Sequence, residues 1–166
     1  MLIHPIDPVY DAGSRVLLLG SFPSPKSREM GFPYGHPQNR FWPVLAALWG
    51  EPVPEGADER RAFALRHHIA LWDVLHACEI AGASDASIQH PIPNDIRPIL
   101  AAAPIHNIYT TGSTAHKFYK KYIEPVCGRP AIPLPSTSPA NARMRLPALI
   151  AAYRVILEAL DAPIDR

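Results

Sequence analysis

Two loops of this chain gather the residue types that do chemistry. The first runs through Gly20-Ser21-Phe22-Pro23-Ser24 and then Gly31-Phe32-Pro33-Tyr34-Gly35-His36-Pro37-Gln38-Asn39-Arg40-Phe41-Trp42. The second is Pro135-Ser136-Thr137-Ser138-Pro139-Ala140-Asn141. Such loops offer backbone N–H groups and hydroxyls to an anion, aromatic faces to a planar ring, and one well-placed amide, Asn39, to a water or a polar base. An amide has no useful basicity, so chemistry built on Asn39 must draw on positioning and electrostatics. Asn39 also stands just before a helical apolar pattern, where an asparagine makes a good N-cap.

These loops need a scaffold, and the apolar pattern supplies one. Val16-Leu17-Leu18-Leu19 ends at Gly20, as a buried parallel strand does; a strand is expected over 15–19, followed by a long loop over 20–38. A helix is expected over 40–49, with Phe41, Val44, Leu45 and Leu48 on one face and Pro43 tolerated in its first turn. A second helix falls at 55–68, a short strand at 69–75, and then a loop through Gly82-Ala83-Ser84-Asp85. Asn94 or Asp95 is read as the cap of a helix reaching 103. A strand over 105–111 closes at Gly112, Ser113 caps a helix to 122, and a last strand lies at 131–134. Leu146, Leu149, Ile150, Tyr153, Ile156, Leu157 and Leu160 make one buried helical face. Alternating strands and helices predict a three-layer α/β/α sandwich around a mainly parallel four-stranded sheet. With no linker or repeat, 1–166 reads as one domain. Ligands of such sheets sit beyond the carboxyl ends of the strands, where both loops fall.

Composition narrows the function classes. Of the 20 prolines, seven cluster in or beside the two loops (Pro23, Pro25, Pro33 and Pro37; Pro133, Pro135 and Pro139) and stiffen them, which suits a preorganised pocket. A net charge of +1 neither demands nor excludes nucleic acid, since binding needs only a local basic surface. Cys78 and Cys127 are too few for a disulfide framework, and a reduced cytosolic setting is expected, without secretory leader or membrane span. Gly20–Lys26 lacks the second glycine and the Gly-Lys-Ser/Thr ending of a phosphate loop, and there is no G-x-G-x-x-G or G-x-S-x-G. No metal site is expected: the histidines fall outside any ligand spacing, and adjacent His67 and His68 point to different sides of a helix.

Taken together, the G-S-F-P-S run at 20–24, the Y-G-H-P-Q-N-R-F-W run at 34–42 and the P-S-T-S-P-A-N run at 135–141 resemble the uracil-DNA glycosylase superfamily. Within it the nearest likeness is to the hypoxanthine (deoxyinosine) DNA glycosylases, over about residues 3 to 160. Two departures from the wider superfamily stand out. Its usual water-directing Asp or Asn is here Phe22, and its usual His-Pro-Ser is Leu134-Pro135-Ser136.

The resemblance implies a monofunctional glycosylase that flips deaminated bases, chiefly hypoxanthine, out of double-stranded DNA and hydrolyses the N-glycosidic bond. It gives the catalytic amide to Asn39. Gly20, Ser21, Phe22, Pro23 and His36 would bind the base, with Phe22 stacking on it. Ser24, Lys26, Ser136, Thr137, Ser138, Asn141, Arg143 and Met144 would contact DNA, with Met144 or Arg143 as the wedge that fills the vacated stack. No cofactor or metal is implied, and a cytoplasmic, nucleoid-associated monomer is expected. Two other readings stand beside this one. A uracil or mismatch glycosylase shares the H-P-Q-N-R-F-W run, and a non-catalytic DNA-binding module would explain the apolar Phe22 and Leu134.

Overall fold

The unbroken apolar run before Gly20 becomes an interior strand, which is why it lacks polar alternation. The computed structural model describes residues 1–161. After a two-residue strand β1 (Leu2–Ile3), the run forms β2 (Val16–Gly20), buried along its whole length. The chain continues through α1 (Pro25–Met30), α2 (Phe41–Trp49), α3 (Gly56–Arg66) and β3 (Ile69–Asp73). Then come β4 (Leu75–Glu79), β5 (Gln89–Pro93), α4 (Arg97–Ala102), β6 (Asn107–Thr111) and α5 (Ser113–Phe118). A π-helical turn (Tyr119–Ile123), α6 (Glu124–Cys127), β7 (Ile132–Leu134), α7 (Leu146–Tyr153) and α8 (Val155–Asp161) complete the order.

The main sheet is four-stranded and wholly parallel, in the order β3-β2-β6-β7. Strand alternation feeds two cores. Val16, Leu18, Ile69, Leu71 and Tyr109 pack with α2, α3, α7 and α8, whereas Leu17, Leu19, Ala70 and Ile108 pack with α4 and α5. This is the expected three-layer α/β/α sandwich. Among the described residues no helix is long and apolar enough to cross a membrane.

Several local expectations are corrected. The strand expected at 69–75 breaks at Val74, and β4 leaves to join β1 and β5 in a separate antiparallel sheet, β1-β4-β5. Asn94 causes no helix to start. Its buried amide donates to the Asp73 and Leu75 carbonyls at 2.9 and 3.1 Å, tying the bend between the sheets. Asp95 instead accepts the Arg97 N–H at 3.1 Å, at the start of α4.

The long loop contains a short helix, α1, because Ser24 accepts the Ser27 N–H at 3.1 Å and Gly31 closes the turn at φ 72°. Ser113 makes no cap bond, and α5 begins directly after Gly112. The terminal helix divides at Arg154, and Leu146 lies exposed at its start rather than on the buried face.

Trp42 joins helix to loop. It is 1% exposed, its ring meets Phe32, Phe41 and Phe63, and its indole N–H donates to the Pro33 carbonyl at 3.3 Å. Trp42→Ala is expected to cost about 3–5 kcal/mol. Thermal unfolding should register this as a Tm lower by roughly 6–20 °C.

Candidate active site

The carboxyl ends of β2, β3 and β6, with the loop that follows β7, enclose a pocket of about 450 Å³. That volume lies in the range of small-ligand sites. Gly20 ends β2 at its floor, Asp73 ends β3 on one side, and Thr111 ends β6 on the other. Tyr34, His36, Asn39 and residues 136–140 close the remaining walls.

Asn39 is held by its oxygen. Its Oδ1 accepts the Phe41 N–H at 2.9 Å and the Thr137 hydroxyl at 2.8 Å. The first bond serves the start of α2, as the capping expectation required, although Arg40 occupies the cap position itself. The second crosses to the other motif loop. With both acceptor sites of Oδ1 occupied, the amide's free edge is its NH₂, and Asn39 meets the pocket as a donor.

Arg40 anchors the opposite loop. Its guanidinium donates to the carbonyls of Thr137, Ser138 (2.8 Å), Asn141 (3.0 Å) and Met144, and its backbone N–H donates to Thr137 O at 3.1 Å. Asn141 Nδ2 donates to Ser136 O at 2.9 Å, and the Tyr153 phenol donates to Pro135 O at 2.6 Å. The loop is therefore shaped from inside before any ligand arrives.

The structure brings most of the sequence-derived candidates together. Gly20, Ser21, Phe22, Pro23, Ser24, His36, Asn39, Ser136, Thr137 and Ser138 all line the pocket. Phe22 is only 7% exposed and packs into the core beneath the pocket, its ring edge-on to His4 and 5.8 Å from the Arg28 guanidinium. His36 Nδ1 accepts the Gln38 N–H at 3.0 Å, which shapes the turn before Asn39.

The DNA-contact candidates divide. Thr137 is buried and its hydroxyl faces Asn39 rather than solvent. Ser24 caps α1, while the Ser136 and Ser138 hydroxyls accept the N–H groups of Ser138 and Ala140. Lys26 lies outside the pocket wall, 3.6 Å from Glu29. Of the two wedge candidates, Met144 is half-buried against the core and Arg143 is exposed.

Two carboxylates were missed by the sequence reading. Asp73 and Asp85 both line the pocket, and Asp85 Oδ1 accepts the Ser21 hydroxyl at 2.8 Å. Asp73 carried one available signal, a charged residue at the carboxyl end of a predicted strand. Asp85 lay in a stretch that looked like plain loop. Tyr34, also unassigned, stacks on Phe41 with centroids 3.7 Å apart and shares a 2.8 Å hydrogen bond with Thr111. Burial, and then the Asp73 carboxylate, push its phenol well above the usual range, so it remains a neutral hydrogen-bonding wall. Among the described residues no group of three His, Cys, Asp or Glu side chains converges as a metal site.

A pocket at the carboxyl edge of a parallel sheet, closed by these two motif loops, agrees with comparisons to known proteins. The family model described as the uracil DNA glycosylase superfamily matches residues 8–160, and the chain belongs to that superfamily. It is 33% identical over 140 residues to a hypoxanthine DNA glycosylase of Methanosarcina acetivorans, covering 81% of this chain and 85% of the relative. It is 36% identical over 98 residues to a hypoxanthine DNA glycosylase of Methanosarcina barkeri, covering 58% and 62%. The solution NMR structure of a candidate uracil DNA glycosylase from Methanosarcina acetivorans superposes with a TM-score of 0.76 at 28% identity. That match spans 94% of this chain and 99% of the other.

Proposed function

We propose that this protein is a monofunctional DNA glycosylase that flips deaminated bases, chiefly hypoxanthine, out of duplex DNA and hydrolyses their N-glycosidic bond. One observation carries the reading: an amide donor, Asn39, fixed by two hydrogen bonds in the wall of a preformed pocket at the sheet's carboxyl edge. The likeness to two hypoxanthine DNA glycosylases supports the substrate.

Flipping costs a few kcal/mol of stacking and pairing, less at a weakened pair such as one containing inosine. Bond cleavage then leaves oxocarbenium character on the sugar and negative charge on the departing base. Asn39 Nδ2–H stabilises that charge or holds the attacking water through a lone pair. Neither role asks the amide to act as a base. The donor is already oriented, so little reorganisation accompanies the reaction, which is where such a site gains its rate. The motif loop at 135–141 positions the flanking phosphates. Exposed Arg143 is the wedge in this reading, since Met144 is engaged by the core. The chain works as one domain and a monomer, with its DNA substrate placing it at the nucleoid.

The test is base release from duplex oligonucleotides carrying one hypoxanthine or one uracil. Preferential hypoxanthine release is expected. Preferential uracil release would make the protein a uracil or mismatch glycosylase. Tight binding without release of either base would make it a DNA-binding module.

A further inference from the structure

The chain's positive charge is not spread evenly. Residues 113–129, which run from α5 through the π-helical turn to just past α6, hold Lys117, Lys120, Lys121 and Arg129 against a single carboxylate, Glu124. Four cations against one carboxylate give this stretch a net charge of +3, while the whole chain carries +1, so the remainder is net negative. A local basic surface on a near-neutral protein is the electrostatic footprint of a polyanion site.

The fold sorts this segment into two faces. Ala115, Phe118, Tyr119 and Ile123 are buried in the core shared with α4, whereas Lys117, Lys120 and Lys121 are exposed. Lys117 Nζ lies 5.2 Å from the centre of the Phe118 ring, and Lys121 Nζ 5.2 Å from that of Tyr122, so aromatic faces hold two of the three ammonium groups in place. Among the described residues none of the three pairs with a carboxylate. Arg129 is engaged from below, donating to the Ile105 and His106 carbonyls at 2.8 and 3.2 Å. The π turn, which inserts one residue where the lysines emerge, is a feature that recurs at functional sites.

Topology places this ridge beside the edge that carries the pocket. α5 begins directly after Gly112, where a Cβ would stand 3.4 Å from Ser136 Cβ, so the start of the helix abuts the second motif loop. At a rise of about 1.5 Å per residue, Lys117 lies roughly 6 Å and Lys121 roughly 12 Å along the axis from Ser113. Side chains on a helix slant toward its N-terminus, which here is the pocket edge. The three lysines thus form a track that leads from that edge down the α4–α5 layer.

We propose that Lys117, Lys120 and Lys121 form a second DNA-contact surface, outside both motif loops, that binds phosphates of the duplex flanking the lesion. The proposal rests on the reading of duplex DNA as substrate, not on base release. Each ammonium that replaces a condensed counterion on the backbone adds affinity that is independent of sequence and weakens with salt. No carboxylate has to be displaced, and two of the side chains are already held, so ordering the ridge on DNA costs little.

A triple variant, Lys117→Gln with Lys120→Gln and Lys121→Gln, removes the charges from exposed positions. Its affinity for an undamaged duplex and for a hypoxanthine-containing duplex of the same length should be measured by fluorescence anisotropy from about 50 to 200 mM salt. The slope of log affinity against log salt should become shallower by about 2 to 3, roughly 0.9 per lysine, and low-salt affinity should fall at least about tenfold for both duplexes. The corresponding triple arginine variant should keep the slope. In the wild type, undamaged duplex should protect the three lysines from an amine-acylating reagent, a readout that depends on no variant's folding.

An unchanged salt slope in the glutamine variant, or equal acylation of the three lysines with and without duplex, would overturn the proposal while leaving the glycosylase reading intact. Equal losses in the glutamine and arginine variants would also overturn it, because the effect would then be one of shape and not of charge. The expected slopes without base release by wild type would remove the glycosylase reading and keep this one. Wild type that binds no duplex would overturn both.

Discussion

Asn39→Ala is expected to slow hypoxanthine release by about 100- to 1,000-fold under single-turnover conditions, the usual cost of removing one preorganised donor. The substitution also removes the acceptor of the Phe41 N–H and the Thr137 hydroxyl. A stability loss of about 1–3 kcal/mol should accompany it, visible by thermal unfolding. Asn39→Asp separates the two effects. A carboxylate keeps an oxygen for Phe41 and Thr137, so the fold and the inter-loop bond should survive. It replaces the pocket-facing NH₂ by a second acceptor. Asn39→Asp should therefore unfold near the wild-type temperature yet be about as slow as Asn39→Ala. A rate equal to or above wild type would show that the position activates water as an acceptor and would refute the donor role.

Arg40→Ala should reduce affinity for a hypoxanthine-containing duplex by at least about tenfold, an effect of roughly 1.4 kcal/mol. The reason is geometric. One planar guanidinium gathers carbonyls from Thr137, Ser138, Asn141 and Met144, which span the bend of the second motif loop. Without it, those dipoles converge on nothing and the loop loses its shape. Arg40→Lys should recover little, because a lysine offers a point charge rather than a rigid fork. Amide hydrogen exchange across residues 136–144 should accelerate in both variants. The single-turnover rate at saturating DNA should fall less than in Asn39→Ala, since Arg40 shapes the loop but does not line the pocket. Unchanged DNA affinity with a loosened loop would show that this loop contributes little to binding.

The main sheet and the two motif loops were legible in the sequence because they rest on local signals. Four unbroken apolar residues before Gly20 announce a doubly covered strand, and Phe41, Val44, Leu45 and Leu48 announce the helix that follows Asn39. The proline-rich loops stood out by composition, and their placement at the sheet's carboxyl edge followed from the α/β pattern. The second sheet was not legible. β1 is two residues long and β5 carries two prolines, so neither has a strand's usual pattern, and both exist through pairing with β4.

The partnerships inside the site were decided by tertiary structure alone. Asn39 reads locally as a helix cap; that its oxygen is also held by a hydroxyl from Thr137, leaving only a donor for the pocket, follows from the approach of two loops 98 residues apart. Arg40 carries no local sign of its partners, and it proves to be the centre of the loop it faces. Asp73 shows a charge at a strand end, but its hydrogen bond to His4, 69 residues earlier and just past the end of β1, is made only by the fold. Residue type and spacing thus determine which groups reach the edge of the sheet. Which of their atoms remain free to act depends on hydrogen bonds made across the fold, and a sequence read locally carries no record of those.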